Sequence, residues 1–137
     1  MLSKRTLRQH FYIMCFIIVV KYERMCIVLE NRYEKDSRTL YITLRGEIDH
    51  HGAVSARAQI DALIDLHSPA VLVMDMSHIV FCDSSGLGLI MGRYKKMNAL
   101  SGVMRLLDPT SEVSRIMALS GLDKIINVER SKQNAKA

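Results

Sequence analysis

Cysteine is scarce. The chain of 137 residues holds three, Cys15, Cys26 and Cys82, an odd number with no C-x-x-C pair. That spacing speaks against a disulfide framework or a thiolate metal site and fits free thiols in a reducing compartment, so a cytoplasmic protein is expected. The five histidines show no H-x-x-x-H or Cys/His ligand spacing, and neither a metal nor another cofactor is expected. No G-x-x-x-x-G-K-[ST] phosphate loop occurs. No apolar run reaches the roughly 20 residues a membrane helix needs. A basic stripe is missing too. The formal charge is +5, but residues 1–24 carry Lys4, Arg5, Arg8, Lys21 and Arg24 against Glu23 alone, and the remainder has 14 basic against 13 acidic residues. The body is nearly neutral, which argues against nucleic-acid binding.

What is present begins oddly. "FYIMCFIIVV" (11–20) is ten apolar residues after a basic start, like the first two parts of a secretory signal, yet "KYERMC" follows with no small-residue cleavage site. A membrane-surface anchor, an extra strand, and sequence upstream of a true start at Met25 are the three readings. The last is preferred, because such a block exposed on a soluble domain invites aggregation. The expected organisation is a basic and apolar extension (1–24), one folded domain (25–128) and a polar tail (129–137), with no stable membrane association.

From Cys26 onward strands alternate with helices. "MCIVLENRYEK" and "RTLYITLRGE" are rich in Ile, Val, Leu and Tyr around a polar turn at Lys35-Asp36-Ser37-Arg38, and predict a hairpin. "SARAQIDALIDLH" sets Ala56, Ile60, Leu63 and Ile64 on one helical face, with Pro69 beyond its end. "AVLVMDM" (70–76) reads as a strand buried on both faces. "SGLGLIMGRYKKMNAL" sets Leu87, Ile90, Met91 and Tyr94 on one side and stops at Gly102. "VMRLL" predicts a strand, and "PTSEVSRIMALSG" a helix opened near Pro109 and closed at Gly121. "KIINV" fits a last edge strand. This order predicts an α/β domain with a mostly parallel sheet and helices against it, whose sites gather where a strand's carboxyl end meets the next helix.

"FCDSSGLG" (81–88) sits at such a seam. Asp83 or Ser84 could cap the helix, a contribution of about 1 kcal/mol. A serine nucleophile at Ser84 or Ser85 would want G-x-S-x-G, of which only Gly86, two after Ser84, is present. His50, His51 and Asp49 would have to supply base and orienter. As a third reading, a serine hydroxyl at a helix N-terminus is reachable by a kinase. Its phosphate would add about −1.5 to −2 charges beside Asp83, tolerable to the helix and disruptive to a partner.

"GEIDHH" (46–51), "DSSGLGLIMGRYKK" (83–96) and "LSGLDKII" (119–126), in this order and separation, resemble the anti-sigma-factor antagonists of the STAS domain family, most of all its sporulation branch. The resemblance spans about Met25 to Val128 and implies a single small domain, a mixed, mainly parallel sheet with helices largely on one side. It implies a partner-switching regulator with no catalysis of its own. The unphosphorylated form would bind an anti-sigma factor that is also a serine kinase and free the sigma factor. The kinase would then phosphorylate the second serine of D-S-S-G, here Ser85, and a phosphatase would reset the cycle. Asp83 and Ser84 would shape the loop, Gly86 would keep the approach clear, and Glu47, Asp49 and His50 are candidate partner contacts, or equally a strand end and helix cap. Arg93 is expected on a solvated or salt-bridged face, and "LSGLDKII" as core and turn. A stress-response branch and a ligand-binding STAS module remain alternatives. Residues 1–24 have no counterpart in the family, and Cys82 stands where a larger apolar residue is common.

Overall fold

The computed structural model describes residues 27–131. The extension 1–24 and most of the polar tail lie outside them. The hairpin forms as expected: β1 (Val28–Glu34) pairs antiparallel with β2 (Thr39–Ile48). Its turn closes through Arg38, at φ 51, whose N–H donates to the Lys35 carbonyl over 3.2 Å. After it come α1 (His50–His67), β3 (Val71–Cys82), α2 (Ser84–Ala99), β4 (Val103–Leu107), α3 (Ser111–Ser120), a short 3-10 turn (Leu122–Lys124) and β5 (Asn127–Glu129). The sheet order is β1-β2-β3-β4-β5, and all pairs after the first are parallel. Every crossover steps one strand in the same direction, so right-handed connections set the three helices on one face.

That face is sealed. Leu40, Ile42 and Leu44 on β2, Leu72, Met74 and Met76 on β3, and Met104 and Leu106 on β4 meet Ala56, Ile60 and Ile64 of α1 and Val113 and Met117 of α3. Each large side chain so buried contributes about 1.5–3 kcal/mol. The opposite face stays partly open, with Tyr41, Thr43 and Asp75 half-exposed. The central strand is therefore sealed on its inner face only, although Val73 on its outer face is 8% exposed.

Three expectations shift. β3 runs on to Cys82 rather than stopping near Met76. Helix α1 starts at His50, five residues before the apolar periodicity begins, because Asp49 caps it there. In α2 the buried stripe is Gly86, Leu89, Ile90, Arg93 and Met97, while Leu87, Met91 and Tyr94 lie half-buried at its margin. Apolar residues alone misphase this helix, since a glycine and an arginine occupy its inner face. Gly121 ends α3 at φ 79, as its position suggests, and Leu122 and Ile126 of "LSGLDKII" are core.

Candidate functional site

Two short segments of similar sequence meet at the carboxyl ends of β2 and β3: "IDHHG" (48–52) and "CDSSG" (82–86). Each crosses from strand to helix in the same way. Asp49 and Asp83 are extended (φ −97 and −101), and each carboxylate accepts from a first-turn N–H, of Gly52 over 2.7 Å and of Ser85 over 2.8 Å. A cap of this kind is worth about 1 kcal/mol. Two irregularities in the β2–β3 ladder bring Ile48 level with Cys82, the second of them beside Gly46, whose φ of 111 suits glycine alone. The Asp83 N–H then donates to the Ile48 carbonyl over 3.2 Å, tying the two turns together.

The candidates therefore cluster. Glu47, His50 and Ser84 are exposed, Asp49, Asp83 and Ser85 are half-buried, and the His50 and His51 rings meet edge-on at 5.8 Å. Gly86 is different. It is buried, and a Cβ there would sit 2.2 Å from the Cys82 sulfur and 3.4 Å from Ile48 Cγ2. It lets α2 settle onto the strand ends.

Cys82, 3% exposed, is the small residue that makes room for this. Burial, then the charges of Asp83 and Glu112, push its thiol up to about 11. At pH 8 only about one thiol in a thousand would be thiolate. Iodoacetamide should thus leave Cys82 unmodified in the folded protein and label it in urea, read by peptide mass spectrometry. Labelling of the folded chain at the rate of a free cysteine would contradict this.

Arg93 is not solvated. It is 4% exposed, with Nε 2.9 Å from Asp61 Oδ1 on α1. The contact is ionic rather than an aligned hydrogen bond, and Nη1 has no partner among the described residues. Burial lowers the Arg93 pKa and Asp61 works against that shift. Lys96 completes the cluster, 2.9 Å from Asp65 and 3.8 Å from Asp61. The salt-bridged half of the expectation holds.

Sequence reading missed a groove. Between the first halves of α1 and α2 lies an open cleft of about 420 Å³, with Ala53, Val54 and Arg57 on one wall and Ser85, Gly88 and Gly92 on the other. The spacing of Ser85, Gly88 and Gly92 at i, i+3 and i+7 was the available signal, since it puts three small residues on one face. Among the described residues no hydrogen bond joins Ser84 or Ser85 to His50 or His51. The serine–histidine contact that exists is Ser77 Oγ to His78 Nδ1 at 2.7 Å, on β3. What the fold gives Ser85 is a half-buried place in the first turn of α2. No described helix is long and apolar enough to cross a membrane.

Residues 31–135 match the model of the STAS domain family. The chain is 36% identical over 107 residues to the anti-sigma F factor antagonist of Paenibacillus polymyxa, covering 78% of this chain and 92% of that one. Among solved structures it is similar to the unphosphorylated anti-sigma factor antagonist SpoIIAA, at 29% identity and a TM-score of 0.65 over 79% of this chain and 92% of that one. The phosphorylated form of SpoIIAA, a Bacillus cell fate determinant, matches at 28% identity and a TM-score of 0.60 over 79% and 96%.

Proposed function

The chain belongs to the STAS domain family, and from that premise we propose that it is an anti-sigma factor antagonist of the sporulation type, switched by phosphorylation of Ser85. In its unmodified form it binds an anti-sigma factor that is also a serine kinase, and the sigma factor is set free. ATP-dependent phosphorylation of Ser85 ends the complex, and a phosphatase restores it. The protein works in the cytoplasm, with neither nucleic acid nor membrane as a partner.

The observation that carries this reading is the position of Ser85. It stands half-buried in the first turn of α2, beside the Asp49 turn of α1, where an incoming protein can reach it. Glu47, Asp49, His50, Asp83 and Ser84 surround it and form the contact surface. Asp49 and Asp83 serve first as helix caps, and their second carboxylate oxygens remain for a partner. A phosphate installed here meets the positive pole of α2, which the fold tolerates. A kinase seated against the same patch meets new charge next to Asp83, and one buried, mismatched phosphate is enough to release it. The sporulation assignment leans on the 36% identity to an anti-sigma F factor antagonist.

The test is incubation with the cognate anti-sigma factor kinase and ATP, followed by mass spectrometry. One phosphate on Ser85 is expected. Phosphate on another residue, or none, overturns the site.

A further inference from the structure

We propose that the groove between α1 and α2 is the seat of an acidic segment of the anti-sigma factor, which lies along α2 from Ser85 toward Lys95. This deepens the reading above and rests on it. Three observations point the same way. The first is space. A Cβ built on Gly88 or Gly92 meets no atom within 4 Å, so neither glycine is demanded by packing, unlike Gly86 in the same helix. Glycine in a helix interior is unfavourable, and two that relieve no clash are explained by a surface kept open.

The second is charge. Arg57, Arg93 and Lys95 line the groove, and among the described residues no carboxylate does. Asp61, behind it, offsets Arg93 at 2.9 Å and reaches Arg57 only at 3.9 Å. Lys95 has no ion-pair partner among the described residues. The third is an unmet donor. Arg93 is buried, lines the groove, and its Nη1 lacks an acceptor among the described residues. A buried donor left without an acceptor costs free energy, and because Nη1 is closed to solvent, a turn of the Arg93 side chain toward the groove would let a carboxylate of the bound segment recover it.

Phosphorylation then acts by more than repulsion at Asp83. It places about two negative charges at the mouth of a channel lined by Arg57, Arg93 and Lys95, where they compete with the acidic segment for those cations.

The experiment measures melting temperature and affinity for the anti-sigma factor together. Gly88→Ala and Gly92→Ala are each expected to raise the melting temperature, by about 4 °C, because helix propensity improves and nothing is displaced. Each should weaken binding about tenfold. Arg57→Gln with Lys95→Gln should weaken it by a similar factor and flatten its dependence on salt between 50 and 300 mM. Wild-type affinity in the two alanine variants, or an unchanged salt slope in the double glutamine variant, overturns the groove and leaves the Ser85 switch intact. A wild-type chain that binds no anti-sigma factor overturns both.

Discussion

Ser85→Asp is expected to bind the anti-sigma factor about a hundredfold more weakly than the unmodified chain, a loss of about 2.8 kcal/mol. Ser85→Ala should bind as tightly as the wild type and stay bound when ATP is added. Isothermal calorimetry with and without ATP separates the two outcomes, and equal affinities of Ser85→Asp and Ser85→Ala would refute the switch. The difference cannot be charged to misfolding. The first turn of α2 has no acidic residue and Ser85 is its second residue, so aspartate there meets the helix dipole favourably, by about 0.3–1 kcal/mol. Ser85→Asp should therefore melt no lower than the wild type. Its single charge understates the effect of a phosphate, which carries nearly twice as much.

The second large effect belongs to stability. Asp61→Ala removes the only carboxylate within ion-pair distance of Arg93 among the described residues and leaves a buried guanidinium unmatched. Breaking a buried pair from one side costs about 3–5 kcal/mol, and the lower end applies because the Asp61 side chain is 26% exposed. Urea denaturation should show that loss as a lower midpoint at unchanged slope. Adding Arg93→Met to Asp61→Ala should restore most of it, because the flexible apolar chain fills the space without a charge to match. A loss below about 1 kcal/mol in Asp61→Ala, or no recovery in the double variant, would show that the pair does not hold α1 to α2.

Much of this was legible in the chain itself. The change from twofold to helical periodicity at each seam, the polar turn at 35–38 and the glycine at 121 are local signals, and local signals survive folding. D-S-S-G announced a cap and an accessible hydroxyl because an aspartate before a helix has few other uses. Three things were not legible, each because it depends on a partner far along the chain. That "IDHHG" and "CDSSG" abut follows from the irregular pairing around Gly46, which no periodicity reveals. Gly86 and Gly88 look alike in sequence but lie 200° apart around the helix, one pressed on Cys82 and the other facing open space. Arg93 reads as a surface residue by composition, and only Asp61, 32 positions earlier, explains how it is buried.

The matched turns at Asp49 and Asp83 have one more consequence. Helices that leave neighbouring parallel strands from the same height lie alongside each other with like poles adjacent, each worth roughly half a positive charge. Two aspartates quench that pair of poles from within. Any group that draws one carboxylate away uncovers the pole it caps and leaves a single carboxylate facing two half-charges, so the patch can lose its negative potential without the backbone moving. A partner landing there would feel the docking surface as a field that its own grip alters.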